Sequence, residues 1–180
     1  PGFRELLIVL LSRVGRHFLE PDNGRPIPSF LNGIVIRFTK KYWTVLWVGL
    51  VVLWVRFLLH VKTLPLVLDQ LSRCSLAETP DAQEMGKLAY YVDRWLQLFP
   101  YNRKGNCFPR ALALYWFARR LGYPVLFRCG VKKGIGSLDG HAWLTVCGQP
   151  FYEPGRHWQG YTVTFLYPQD SVVSAEQGLS

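Results

Sequence analysis

Cys107, His141 and Glu153 are the residues of this chain whose types and settings fit nucleophilic catalysis. A thiol attacks at neutral pH only as a thiolate. The unpaired amide groups and the dipole at a helix N-terminus favour that anion. Cys107 has this setting: Asn106 is the expected cap, Pro109 falls in the first turn, and a helical pattern follows. Taken alone, the position suits an inert half-buried cysteine equally well.

His141 supplies what a thiol needs beside it. It opens a predicted strand, Gly140-His141-Ala142-Trp143-Leu144-Thr145-Val146, just after a glycine-containing loop. From a strand's start an imidazole can face a helix N-terminus packed on the sheet and take or return the thiol proton. A lone histidine is more often structural or solvated. Yet His17, His60 and His157 have no comparable setting, and no pair of them has metal-ligand spacing. No metal or cofactor is expected. After the turn Gly148-Gln149-Pro150, Glu153 returns near the level of His141 on an adjacent arm. There its carboxylate can accept the second ring N–H and fix the tautomer. The competing reading is a solvated rim carboxylate. Asp139 is the fallback, badly placed two residues before the histidine, and Asp170 lies farther off.

The elements that must position these groups follow from periodicity. Leu6, Leu7, Leu10, Val14 and Phe18 predict a helix over 3–19. The proline-rich stretch 21–28 predicts a loop. Residues 42–61 form the most apolar segment, with 14 apolar or neutral residues before Arg56. A membrane span needs about 20 such residues, and shorter runs are more often core or interfacial helices. A span, with Arg56 snorkelling to the interface, and a helix buried in the fold or lying on a membrane both stay open. Thr79-Pro80-Asp81 predicts a helix start with Thr79 as cap, running to about Phe99 with Leu88, Val92, Trp95 and Phe99 inward. Tyr101–Asn106 is a polar loop. A second helix spans Cys107–Leu121, its inner stripe Ala111, Leu114, Tyr115, Ala118 and Leu121, ended by Gly122 and Pro124. Strands are expected at 125–131, 141–146 and 161–167, with a returning arm at 151–153. Helices followed by an antiparallel meander make an α+β domain of about 100 residues. The division expected is a helical N-terminal region, 1–78, and a catalytic domain, 79–180.

Composition narrows the classes. Among 180 residues, 49% are hydrophobic and 15% aromatic, which excludes a disordered chain. The net charge of +9 implies an anionic neighbour: nucleic acid, an acidic membrane face or an acidic peptide. The basic residues are scattered, with Lys40-Lys41, Arg119-Arg120 and Lys132-Lys133 among the few adjacent pairs, so no nucleic-acid partner is expected. None of the four cysteines forms a C-x-x-C pair, which argues against a zinc ribbon. Cys129 and Cys147 are expected as small buried hydrophobes in strand-like runs, and Cys74 gives no sign of a disulfide framework. A reducing, cytoplasmic setting follows, with membrane association left open. Residues 5–11 are apolar after Glu5 but lack a cleavage pattern, so a secretory signal is a weak reading. The chain opens at Pro1 without a Met, as a fragment would.

Four motifs in order carry a resemblance: Cys107-Phe108-Pro109-Arg110-Ala111-Leu112-Ala113-Leu114, then Arg119-Arg120-Leu121-Gly122-Tyr123-Pro124, then Arg128-Cys129-Gly130-Val131, then Gly140-His141-Ala142-Trp143. Over residues 85–167, and more loosely from Leu64-Pro65, the chain resembles the transglutaminase-like leader peptidases of lasso-peptide biosynthesis, among them the microcin-processing maturation proteins. The resemblance implies a papain-like fold, with a nucleophile-bearing helix packed on an antiparallel sheet and a helical region before it. It also implies a Cys–His–acid triad that removes the leader of a ribosomally made precursor peptide. Cys107 and His141 carry over by motif position. The family's third member is usually aspartate, and Glu153 stands there. The implied partners are the precursor peptide, an ATP-dependent macrolactam synthetase and a leader-recognition protein. Residues 1–80 hold no β-rich recognition domain, so that protein would be separate. Two other readings use the same residues: acyl transfer to an amine, as in transglutaminases and arylamine acetyltransferases, and a non-catalytic membrane-associated peptide-binding module.

Overall fold

The computed structural model describes residues 29–73, 79–99, 105–134 and 137–168, with side chains from Tyr42 onward except that of His157. The expected helix over 3–19, the loop at 21–28, residues 101–104, Cys74 and Asp170 lie outside the described residues. The chain divides into two compact units, Pro1–Lys41 and Tyr42–Ser180.

Helix α1, Ser29–Val61, is longer than its apolar part. Within the second unit, Val48, Val51, Val52, Val55 and Leu58 recur every three or four residues and are buried in the core. Trp47 and Trp54 lean on Trp116. Gly49 admits the indole of Trp95, because a Cβ there would lie 2.4 Å from the ring. The opposite face exposes Tyr42, Trp43, Leu46, Leu53 and Phe57. By length and composition alone, Tyr42–Val61 could cross a bilayer.

Two short helices follow. Helix α2, Leu64–Ser72, opens on a proline and buries Val67, Leu68 and Leu71. Helix α3, Ala82–Gln97, is capped by Asp81, not by Thr79, because the Asp81 carboxylate accepts from both Gln83 N and Glu84 N. An anion at the dipole's positive end, bonded to two orphan amides, outcompetes a hydroxyl two residues away. The helix stops at Gln97, and its inward side is Met85, Leu88, Ala89, Val92 and Leu96. Trp95 and Phe99 pack at the margin of this core.

Helix α4, Cys107–Arg120, departs most from its expected amphipathic stripe. Every residue from Ala111 to Ala118 is buried. A helix apolar all round belongs at the centre, enclosed on several sides. It ends at Leu121, and Gly122 at φ +78° allows Tyr123 N to reach back to Ala118 O.

The sheet is antiparallel throughout but is not a simple meander. Strands β1 (Leu126–Lys133), β2 (Leu138–Val146) and β3 (Gln149–Pro150) follow one another, whereas β4 (Thr162–Tyr167) crosses to pair with β1. The order is β3-β2-β1-β4. β2 begins three residues before His141, because Leu138–Gly140 pair with Val131–Lys133. The returning arm pairs only through Gln149 and Pro150, so Glu153 sits in a loop rather than on a strand. Cys147 is exposed, in a turn at φ +48°, and is not the buried strand residue expected. Cys129 is half-buried on β1. Helices packed on this antiparallel sheet make the fold α+β, the class expected.

Candidate active site

The site forms where the N-terminus of α4 meets the middle of β2. Cys107 is the first helical residue. Asn106 holds the cap position, but its side chain makes no capping bond. Instead Asn106 Nδ2 donates to Leu96 O at 3.3 Å, and its Oδ1 accepts from Arg56 at 3.1 Å. No side-chain cap therefore takes the amides of Cys107 and Phe108. The Cys107 sulfur is bonded by the backbones of Phe108 and Ala142 and by the His141 ring.

His141 lies opposite Gly130 of β1. Gly130 is obligatory for packing: a Cβ there would come within 2.8 Å of Thr162 O and 3.0 Å of the Trp143 ring. The imidazole stacks on Trp143, two residues along the strand, at 5.7 Å between centroids. Tyr161 covers it at 5.2 Å.

Beyond β2, the turn at Cys147 and Gly148 reverses the chain, Phe151 N returns to Leu144 O, and Tyr152 takes φ +51°. That non-glycine left-handed backbone aims the next residue inward. Glu153 Oε1 lies 2.7 Å from His141 Nε2, with the carboxylate side chain only 6% exposed. With Nε2 engaged, the ring nitrogen left to the sulfur is Nδ1. Sulfur, imidazole and carboxylate thus form one chain.

Arg110 holds that chain's far end. One turn beyond Cys107 in α4, it donates to Glu153 Oε2 at 3.2 Å and to Tyr152 O at 2.7 Å. Asp93 of α3 grips the same guanidinium at 2.7 and 3.2 Å. A nearly buried carboxylate needs such a counter-charge to stay ionised. Tyr152 closes the clamp by donating from its hydroxyl to Ala82 O. Asp139, the fallback acid, is engaged elsewhere, as acceptor for the Tyr161 hydroxyl.

Electrostatics follow the geometry. Burial pushes the Cys107 thiol up, but bonds from His141, Ala142 N and Phe108 N outweigh it, and the net shift is downward. Bonds to Cys107 and then Glu153 raise His141 to about 9, against a smaller opposing effect of burial. Both shifts favour a thiolate–imidazolium pair. Burial, then the nearby Cys107, raises the Cys129 thiol. Among the described residues, no three His, Cys, Asp or Glu side chains are grouped to hold a metal ion.

Sequence reasoning singled out the three central residues and passed over Arg110, Asp93, Arg56 and Tyr161. Arg110 carried one signal: its i+3 spacing from Cys107 puts both on one helical face. Asp93 and Arg56 carried none, since their contacts join separate helices.

The family model described as the transglutaminase-like superfamily matches residues 50–166. No curated protein and no solved structure matches the chain significantly.

Proposed function

The chain belongs to the transglutaminase-like superfamily, and from that membership we propose that it is a cysteine peptidase that removes the leader from a ribosomally synthesised precursor peptide. The observation that carries this reading is the bonded series Cys107–His141–Glu153 at a helix N-terminus. The resemblance of its motifs to lasso-peptide leader peptidases supports a peptide substrate.

The Cys107 thiolate attacks the scissile carbonyl carbon, forming a C–S bond and an oxyanion. The N–H of Cys107 has no intrahelical acceptor by helix geometry and serves the oxyanion. As the intermediate collapses, the C–N bond breaks and the imidazolium of His141 gives its proton to the leaving amine. Neutral His141 then takes a proton from water, whose oxygen displaces the thiol from the thioester. The proton returns to the sulfur–imidazole pair. Glu153 keeps the ring oriented and compensates its positive charge throughout. The reading implies three partners: the precursor, a separate recognition protein and an ATP-dependent macrolactam synthetase. It places the reaction in the cytoplasm, free or at a membrane face.

The test is to co-express the chain with a cognate precursor and recognition protein and follow leader removal by mass spectrometry. Cys107→Ala is expected to abolish it, and unchanged removal overturns the mechanism. The product mass separates hydrolysis, which adds one water, from acyl transfer, which joins the acyl fragment to an amine.

A further inference from the structure

Arg56 is the one charged side chain in the apolar window Tyr42–Val61. It does not reach outward along the exposed face of α1. Its guanidinium lies 4.6 Å above the Phe99 ring and donates to Asn106 Oδ1. Holding a long side chain in this part-buried position costs rotamer entropy, so what it holds matters.

What it holds is the residue immediately before the proposed nucleophile. An asparagine at a helix N-cap ordinarily accepts from the amide of the second or third helical residue. Here the third helical residue is Pro109, which has no N–H. The donor left to a capping Asn106 is Phe108 N–H, the amide that bonds the Cys107 sulfur. A carboxamide oxygen is a better acceptor than a neutral thiol and would contest that donor. The observed side chain is secured at both ends, by Arg56 on its oxygen and Leu96 O on its nitrogen. The backbone of Asn106, at φ −101° and ψ 4°, has also left the extended conformation that caps usually adopt.

We propose that Arg56 acts as a positioning residue for the nucleophile, holding Asn106 away from Phe108 N–H so that this amide stays with the Cys107 sulfur. The inference rests on the proposed role of Cys107 but is tested without substrate. The apolar helix preceding the family's core motifs is then part of the site's wiring.

The experiment measures the pH dependence of Cys107 alkylation by a small neutral haloacetamide, with Cys74, Cys129 and Cys147 replaced by Ser in every sample. His141 and Tyr161, which are coupled electrostatically to the sulfur, are left unchanged. Arg56→Met is expected to move the alkylation midpoint upward by about one pH unit, the worth of one bond to a charged group. Adding Asn106→Ala to Arg56→Met removes the competitor and is expected to reverse most of that shift, which mere loss of packing would not do. A second pair leaves Arg56 in place. Asn106→Ser, free to cap Phe108 N–H, is expected to shift the midpoint farther upward than Asn106→Ala, which has nothing to cap with. A normal midpoint in the parent protein would overturn the nucleophile itself. A depressed midpoint in the parent would overturn only the role of Arg56 if folded Arg56→Met leaves it in place, if Asn106→Ala fails to reverse the shift, or if the Ser and Ala variants coincide.

Discussion

The two edges of the His141 ring are supported in different ways. On the carboxylate side, charge is held by charge: Asp93 grips Arg110, Arg110 grips Glu153, and Glu153 meets Nε2. On the thiol side, the developing anion meets backbone amides of Phe108 and Ala142, and Arg56 touches the neighbouring Asn106 carboxamide and the Phe99 ring rather than a charged partner. The contrast matches what each side must do. The carboxylate makes and breaks no bond to the substrate, and a fixed counter-ion suits it. In the proposed reaction the sulfur alternates between thiolate and thioester, and a second, fixed positive charge beside it, in addition to the mobile proton of His141, would stabilise the thiolate against reacting. Preorganised dipoles serve both forms.

Breaking the carboxylate side should have the larger effect. Glu153→Gln keeps the shape but can present its amide to Nε2, favouring the wrong tautomer. Cleavage rate is expected to fall about 10²–10⁴-fold. Glu153→Asp keeps the charge but is one methylene short of bridging ring and guanidinium, and a loss nearer tenfold is expected. Steady-state cleavage of a synthetic precursor separates the two, and equal losses would mean that charge is not what matters there.

Next in size is Arg110→Met. It strands the nearly buried Glu153 and releases the Tyr152 carbonyl, so it damages stability as well as rate. The expected cost is about 3 kcal/mol, at the low end for breaking a buried pair because Asp93 remains partly exposed. Denaturant melts read it directly. A melt unchanged from the parent protein would show that the clamp contributes little to the fold.

The pH profile sharpens the contrast with the smallest change. Acid protonates the thiolate, so both alkylation and cleavage fall on that limb. As pH rises through about 9, His141 loses the proton needed by the leaving amine. Cleavage should then decline while alkylation persists. Because Glu153 is among the groups raising His141, Glu153→Gln should draw the alkaline limb downward. If cleavage and alkylation instead run parallel above that pH, His141 is not the proton donor.

The sequence singled out the three-residue series because each member carries a local sign: a cysteine at the entrance of a helix, a histidine at the expected head of a strand, an acid just past a tight turn. It disclosed strands by alternation but not their neighbours, since period-two patterning says nothing about which edge Thr162–Tyr167 will join. The all-round apolarity of Ala111–Ala118 was legible and was read too narrowly as a stripe. The cap was expected at Thr79 and is held by Asp81, because two good cap residues stand close together and only geometry chooses between them. The supports of the site were the least legible part. Arg56, Asp93 and Arg110 act through pairings between different helices, for which a single sequence offers no period.

The glycine facing His141 across the strands sets a boundary on how this protein can be altered. Any side chain at position 130 would collide with the Thr162 carbonyl and the Trp143 indole, prying β4 from β1. Efforts to alter the site gain nothing from diversifying that position. Tyr152, whose carbonyl and hydroxyl hold the clamp on Arg110, and Tyr161, whose ring covers the imidazole, are bound to the same arrangement, so the surroundings of His141 change together or not at all.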